Sequence, residues 1–503
     1  MVETGAQRAD RKRFGAWYTP PDLVDTMVDA VVTAEFVASR RTIDRPVTVL
    51  DPACGDGRFL VAVTARVEAL GGSAAVTGVD IDATAADVAR LALPAASIVV
   101  ADALDHDWTT ASFDVVIGNP PFLSQMAEAT TRGGAGGRGA GAYADVAVEF
   151  LALAAELVSE DGGRLALVLP QSVLASRDAA AVRASVDGRS RMFWSSWSPE
   201  RVFDAQVHTC ALAFEFGPDS PTRAAGGTWS HVVTDRQGVP GVPDDLETSG
   251  ELGDRATLNA NFRDEYYGMI PAVTDAATDR TDGPPLITSG LIDPGRSLWG
   301  VRPITFAKRS FAEPRVDIGA LDARMREWAR RRLVPKVLVA NQTRVIEAVC
   351  DPTGAWLPGV PVVAVYPRGA HWDDAARADP RTAATDTELA RQAWEIAAVL
   401  TSPIASAWSW HRGGGTGLSA DAIRTSPTVL AALPWPAGDL AVAVDAVRRG
   451  DVRGCGAAVD AAYGIVDDTA LDAWWVRSLE RIEARNPIAT PDSPIAPPAA
   501  PAG

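Results

Sequence analysis

The sequence predicts an α/β fold: a doubly wound sheet of mainly parallel strands, followed by a mixed α/β region. Three observations predict it. Between residues 47 and 216 short apolar runs alternate with helical patterns, as crossover connections between parallel strands require. The first run leads into a glycine-bearing turn, Asp51-Pro52-Ala53-Cys54-Gly55-Asp56-Gly57. Polar residues follow later runs at their carboxyl ends, where such sheets place ligands.

The first two apolar runs are residues 47–50 and 76–79. Between them Phe59, Leu60, Val63, Val67 and Leu70 keep a helical spacing, and Gly71-Gly72 supplies the stop. Runs at 98–101, 115–118 and 165–169 continue the sheet, and 209–216 is an apolar strand returning after an irregular stretch around 195–201. Beyond residue 216 the composition turns to Gly, Pro, Ser and Asp. Residues 1–217 are therefore expected to form one domain, with 218–245 as linker. Residues 246–485 are expected to form a second domain, with strand-like pieces at 336–340 and 360–365, a helix near 389–400 and several exposed tryptophans. The Pro- and Ala-rich stretch 486–503 is expected to be a disordered tail.

Composition narrows the function classes. With 47% hydrophobic and 22% charged residues the chain has the make-up of a soluble globular protein. No stretch approaches the roughly 20 apolar residues of a membrane span, and no apolar leader opens the sequence, so a cytoplasmic location is expected. Cys54, Cys210, Cys350 and Cys455 lie far apart without a CxxC pair, which argues against structural zinc or a disulfide framework; no metal is expected. A net charge of −17 counts against a polyanionic partner, yet binding needs only one positive face. Basic residues cluster at Arg8, Arg11, Lys12 and Arg13, at Arg132 and Arg138, and from Arg324 through Arg326, Arg330, Arg331 and Arg332 to Lys336. Each cluster serves equally well as a solvated face.

The motifs carry more. Gly55 and Gly57 let the backbone turn sharply and approach a ligand, and with Ala53 they are candidate cofactor-binding residues. The loop lacks a phosphate-cradling lysine and carries Asp51 and Asp56, which would repel a pyrophosphate. A cationic ligand fits better, and S-adenosylmethionine carries a sulfonium and an ammonium. Asp80, ending the second run, suits ribose hydroxyls; Asp102, after the third, suits an adenine amine. The fourth run delivers Asn119-Pro120-Pro121-Phe122. An exocyclic aryl amine is a poor nucleophile because its lone pair is delocalised. The Asn119 side-chain oxygen and the Pro120 carbonyl can hold its two hydrogens, prolines fix those acceptors, and Phe122 offers a face for a base to stack on.

With these motifs in this order, the chain resembles the gamma-class adenine-N6 DNA methyltransferases of restriction-modification and phage-defence systems, the TaqI type with a C-terminal target-recognition domain. Gly15-Ala16-Trp17-Tyr18-Thr19-Pro20 looks like that family's N-terminal motif. The resemblance implies a Rossmann-like, S-adenosylmethionine-dependent methyltransferase domain over residues 1–217 and a target-recognition domain over 246–485. It implies that Tyr18 and Thr19 close over the methionine end of the cofactor and that Asp51 holds its amino group. It further implies that Ile81 borders the cofactor adenine, that Phe150 packs against it, and that Phe203 stacks on a flipped base. The implied substrate is double-stranded DNA, read by the second domain, with a restriction or phage-defence partner protein left open. Core packing is the rival reading for Phe150 and Phe203.

Three other functions compete. A fused nuclease finds no ExK core among the three lysines (Lys12, Lys308, Lys336), and the N-terminal motif leaves it no room upstream. Adenine-N6 or guanine-N2 methylation of RNA and protein-glutamine methylation meet the same amine problem with similar loops. A catalytically idle DNA-reading subunit would have no need of the intact Asn119–Phe122 loop.

Overall fold

The computed structural model describes residues 19–41, 45–108, 111–122, 137–197, 208–217, 227–261, 263–279, 282–370, 385–466 and 468–485. Two compact units divide the chain: residues 1–233 with 418–420, and residues 234–417 with 421–503.

The first unit is built on a seven-stranded sheet of β1 (Val47–Asp51), β2 (Ala74–Asp80), β3 (Ser97–Val100), β4 (Val115–Gly118), β5 (Arg164–Pro170), β6 (Ser190–Trp197) and β7 (Thr209–Phe216). The strand order is β3-β2-β1-β4-β5-β7-β6. β1 to β5 run parallel, and β7 lies antiparallel to both β5 and β6. β4 is buried along its whole length and β5 nearly so, because helices cover both faces of a parallel sheet. That is why the central strands read as unbroken apolar runs. The chain crosses from one half of the sheet to the other between β1 and β4, so their carboxyl ends flank the crevice in which open α/β sheets bind ligands.

Two features depart from the sequence reading. Residues 195–197, expected to be irregular, belong to strand β6. They escape a pattern test because β6 is an edge strand with mostly half-buried positions, so adjacent pairs of aromatics and serines replace a strict alternation. Inside the expected linker, His231–Gln237 is helical.

The second unit carries a four-stranded antiparallel sheet in the order Ala348–Asp351, Lys336–Ala340, Val362–Pro367, Ala256–Ala260. A core containing Met269, Leu286, Leu321, Met325, Leu338 and Tyr366 packs in the same unit. Helix Asp386–Leu400, through Leu389, and the two-stranded hairpin Ile304–Phe306/Arg309–Phe311 add to that core, and helix Pro403–Gly413 belongs to the same unit. The tryptophans expected at the surface are largely inside: Trp328, Trp408, Trp410, Trp435, Trp474 and Trp475 are all buried. Their bulk does more for a core than for a wet face, and composition alone does not say which.

The third basic cluster does not form one positive face either. Lys336 is fully buried and pairs with Asp351 at 2.6 Å, and Arg332 is buried. Arg326 donates to the carbonyls of Ile318, Gly319 and Leu321, and Arg331 pairs with Glu327. Only Arg324 and Arg330 of that run are exposed. Helix Ala323–Arg332 spreads consecutive arginines around its circumference, so adjacency in sequence is not adjacency in space. Among the described residues no helix is long and apolar enough to cross a membrane, and all four cysteines are free thiols in buried positions.

Candidate active site

β1 ends in Asp51, and the turn that follows places two glycines in left-handed conformations, Gly55 at φ +51° and Gly57 at φ +84°. An added Cβ at Gly57 would also press on Ala89, so the turn both needs glycine's freedom and packs closely on the neighbouring helix. From Gly57 the helix Arg58–Ala69 begins, burying Phe59, Leu60, Val63 and Val67 as the spacing predicts.

Asp51 is 1% exposed. Its Oδ1 accepts from the Ala53 amide at 3.0 Å. Burial raises its pKa to about 8, and the neighbouring Asp80 and Asp56 push in the same direction. Asp80, at the end of β2, accepts from the Gly55 amide at 2.7 Å and the Asp82 amide at 2.8 Å. Burial raises its pKa as well, against the pull of those two amides. A carboxylate held in the interior, with acids rather than bases around it, is costly in isolation and favourable once a cation arrives. That is the donor set a sulfonium and ammonium ligand requires, and Asp51, Asp80 and the Gly55–Gly57 turn therefore fit S-adenosylmethionine.

Ile81, next to Asp80, is 57% exposed, an apolar side chain that a flat ligand could cover. Asp102 is exposed on the loop after β3, its Oδ1 accepting from the Leu104 amide at 2.9 Å. Phe150 is buried on helix Val146–Leu157 and takes part in that helix's packing. Thr19 is buried too, and its carbonyl accepts from Arg58 at 3.3 Å.

At the end of β4 the strand hands over to Asn119, Pro120, Pro121 and Phe122. Gly118 lies directly against Asp51: a Cβ there would collide with the Asp51 carboxylate. The residue before the Asn-Pro-Pro-Phe corner thus touches the acid of the glycine turn, and the two motifs meet in space. Pro120 and Phe122 are buried and Asn119 is half-buried. Phe122 is only 6% exposed, so its ring is packed rather than presented. Tyr18 and Phe203 lie outside the described residues.

Motif reading missed two contributors, Arg58 and Gly118. Arg58 pairs with Asp56 at 2.9 Å while donating to the Thr19 carbonyl, which ties the N-terminal motif to the glycine turn. Its only sequence signal is a cation two residues after an acid. Gly118 was read merely as the last residue of an apolar run. Arg138, one of the clustered basic residues, turns inward: it donates to the Leu104 carbonyl, pairs with Glu156, and gives its backbone amide to Glu149. With acceptors on that side already in reach, its charge is spent within the domain. Among the described residues no group of three or more His, Cys, Asp and Glu side chains is arranged to hold a metal ion.

Sheet order, the glycine turn and the acids that end β1 and β2 define a Rossmann-like domain. Residues 3–186 match the model of the N-6 DNA Methylase family, in agreement with the resemblance that the motifs carry. The chain is similar to the Type II methyltransferase M.CvrRI of Paramecium bursaria Chlorella virus XZ-6E, 27% identical over 170 residues. That match takes in 34% of this chain and spans 40% of the viral protein's length. Among solved structures the chain is similar to the Type IIL restriction-modification enzyme MmeI in complex with DNA. The TM-score is 0.61 at 14% identity, covering 96% of this chain and 80% of that one, a likeness of fold.

Proposed function

We propose that the protein is a site-specific DNA methyltransferase that moves a methyl group from S-adenosylmethionine to N6 of adenine. The observation that carries this reading is the contact between the Asn119–Phe122 corner, through Gly118, and the buried Asp51, whose surroundings call for a cation. Asp51 would hold the donor's ammonium, Asp80 the ribose hydroxyls and Asp102 the adenine amine, with Ile81 and Phe150 beside the adenine ring and Tyr18 and Thr19 over the methionine end. The donor brings an already activated methyl on its sulfonium. The chain's part is to prepare the acceptor. The Asn119 side-chain oxygen and the Pro120 carbonyl take the two amine hydrogens, pulling the nitrogen out of conjugation and aiming its lone pair. The prolines keep those oxygens from rotating away.

Adenine's amine lies within a base pair, so the base must leave the duplex, at an unpairing and unstacking cost of about a few kcal/mol that aromatic contacts offset. Phe122 and Phe203 are assigned that role, and Phe122 would have to become more accessible than it is here. Residues 246–485 are assigned the choice of DNA sequence, and a restriction or phage-defence partner protein stays open. The test is methyl transfer from labelled donor to DNA, RNA and protein in parallel, followed by methylation-sensitive sequencing. DNA is expected to take the label at adenine. Asn119→Ala is expected to lose several orders of magnitude in rate with donor binding kept. Full activity in that variant, or label found only in RNA or protein, sinks the reading.

A further inference from the structure

The second unit contains a short hairpin whose turn is built the costly way. Ile304–Phe306 pairs antiparallel with Arg309–Phe311, and the two residues between them, Ala307 and Lys308, both have positive φ, +48° and +64°. A turn with positive φ at both central positions matches the twist of a ribbon, and Asn-Gly is the pair that adopts it readily. Alanine and lysine do not, so the conformation must be held by its surroundings. The Tyr266 hydroxyl accepts from the Ala307 amide at 3.1 Å, and its ring lies 4.8 Å from that of Phe306. Ile304, Phe306 and Phe311 point into the core, which leaves Thr305, Lys308, Arg309 and Ser310 exposed.

The result is a rigid, narrow tip with two cations and two hydroxyls. Among the described residues no acid pairs with Lys308 or Arg309; Arg309 rests over the Phe311 ring at 5.1 Å. Lys308 is the only exposed lysine among the described residues, in a chain of net charge −17. The turn therefore holds the Lys308 charge at a fixed place on the tip, beside Arg309. A two-stranded ribbon of this width enters the major groove of B-DNA, about 12 Å across.

We propose that this hairpin is a DNA-contacting finger of the second unit, with Lys308 on a phosphate and Arg309 within reach of the groove edge. The inference rests on DNA being the substrate. It is tested by titrating the full chain with short random-sequence duplexes at several salt concentrations. Ala307→Asn/Lys308→Gly supplies the relaxed turn without the charge; Lys308→Arg keeps the charge. The relaxed-turn variant is expected to unfold no more easily than the parent and to bind S-adenosylmethionine equally well. Its duplex affinity should fall about tenfold, and its salt slope by about one for the lost phosphate contact. Lys308→Arg should bind like the parent. A relaxed-turn variant that keeps both affinity and slope overturns the finger alone. A parent that binds the donor but no duplex overturns the finger and the DNA reading together.

Discussion

Asp51 in the first unit and Asp351 in the second are each 1% exposed, yet their surroundings differ in kind. Asp351 receives the fully buried Lys336 at 2.6 Å, and the amides of Ala355 and Trp356 at 3.0 and 2.9 Å. Burial lowers the Lys336 pKa, and the attraction of Asp351 works against that shift. Asp51 receives one amide and has two further acids as its charged neighbours. A buried carboxylate whose cation is built in serves the architecture. One that lacks it lowers the stability of the empty protein and raises the return on binding a cation, which is the pattern of functional sites.

The contrast can be broken most sharply at the paired acid. Lys336→Met strands a buried carboxylate and should destabilise the protein by about 3–5 kcal/mol in urea unfolding of the full chain. Asp51→Asn should unfold no more easily than the parent. Equal losses in the two variants would erase the distinction.

Next in size is the donor affinity. Asp51→Asn removes a charge-assisted hydrogen bond of about 1.5–3 kcal/mol, so calorimetry with S-adenosylmethionine should show roughly 10–100-fold weaker binding. The same residue fixes a pH dependence. Its folded pKa, raised to about 8, stands above an unfolded value near ~3.9. The stability it contributes is therefore fully present below ~3.9 and is lost as pH rises through about 8. An ammonium favours the carboxylate, so donor binding should expel a proton and tighten as pH climbs from the acid side toward 8. Calorimetry in buffers of different protonation heat reads that proton directly. Asp51→Asn should flatten the profile, and a parent that releases no proton would remove Asp51 from the ammonium site.

The smallest effect is expected at Arg58, whose pairing with Asp56 is partly exposed. Arg58→Ala should change stability by no more than about 1 kcal/mol. It should raise the donor KM a few-fold through a looser N-terminal motif, with kcat held. A change in kcat instead would place Arg58 in the chemistry.

Much of the first unit was legible because both faces of its parallel strands are covered, so burial imprints itself on every residue in turn. The turn at Gly55–Gly57 and the corner at Asn119–Phe122 stand out in the sequence because the chemistry proposed for them demands particular residues. What could not be read depends on where side chains end up. Arg332 and Lys336 look like surface charge in a string of letters and lie inside. Arg138 sits in a glycine-rich stretch and reaches back to the loop that carries Asp102. The hairpin 304–311 was invisible because its turn avoids the Asn-Gly signature by which such turns are recognised. Gly118 gave no sign of its importance, since a glycine ending an apolar run says nothing about which carboxylate waits across the sheet.

That glycine makes one partition serve two rooms. Any side chain at position 118 would press on the Asp51 carboxylate and disturb the start of the Asn119–Phe122 corner at the same time, so the acid and the corner cannot drift apart independently. Under the proposed function, room for a bulkier methyl donor would have to be found near the exposed Ile81, leaving this shared wall as it is.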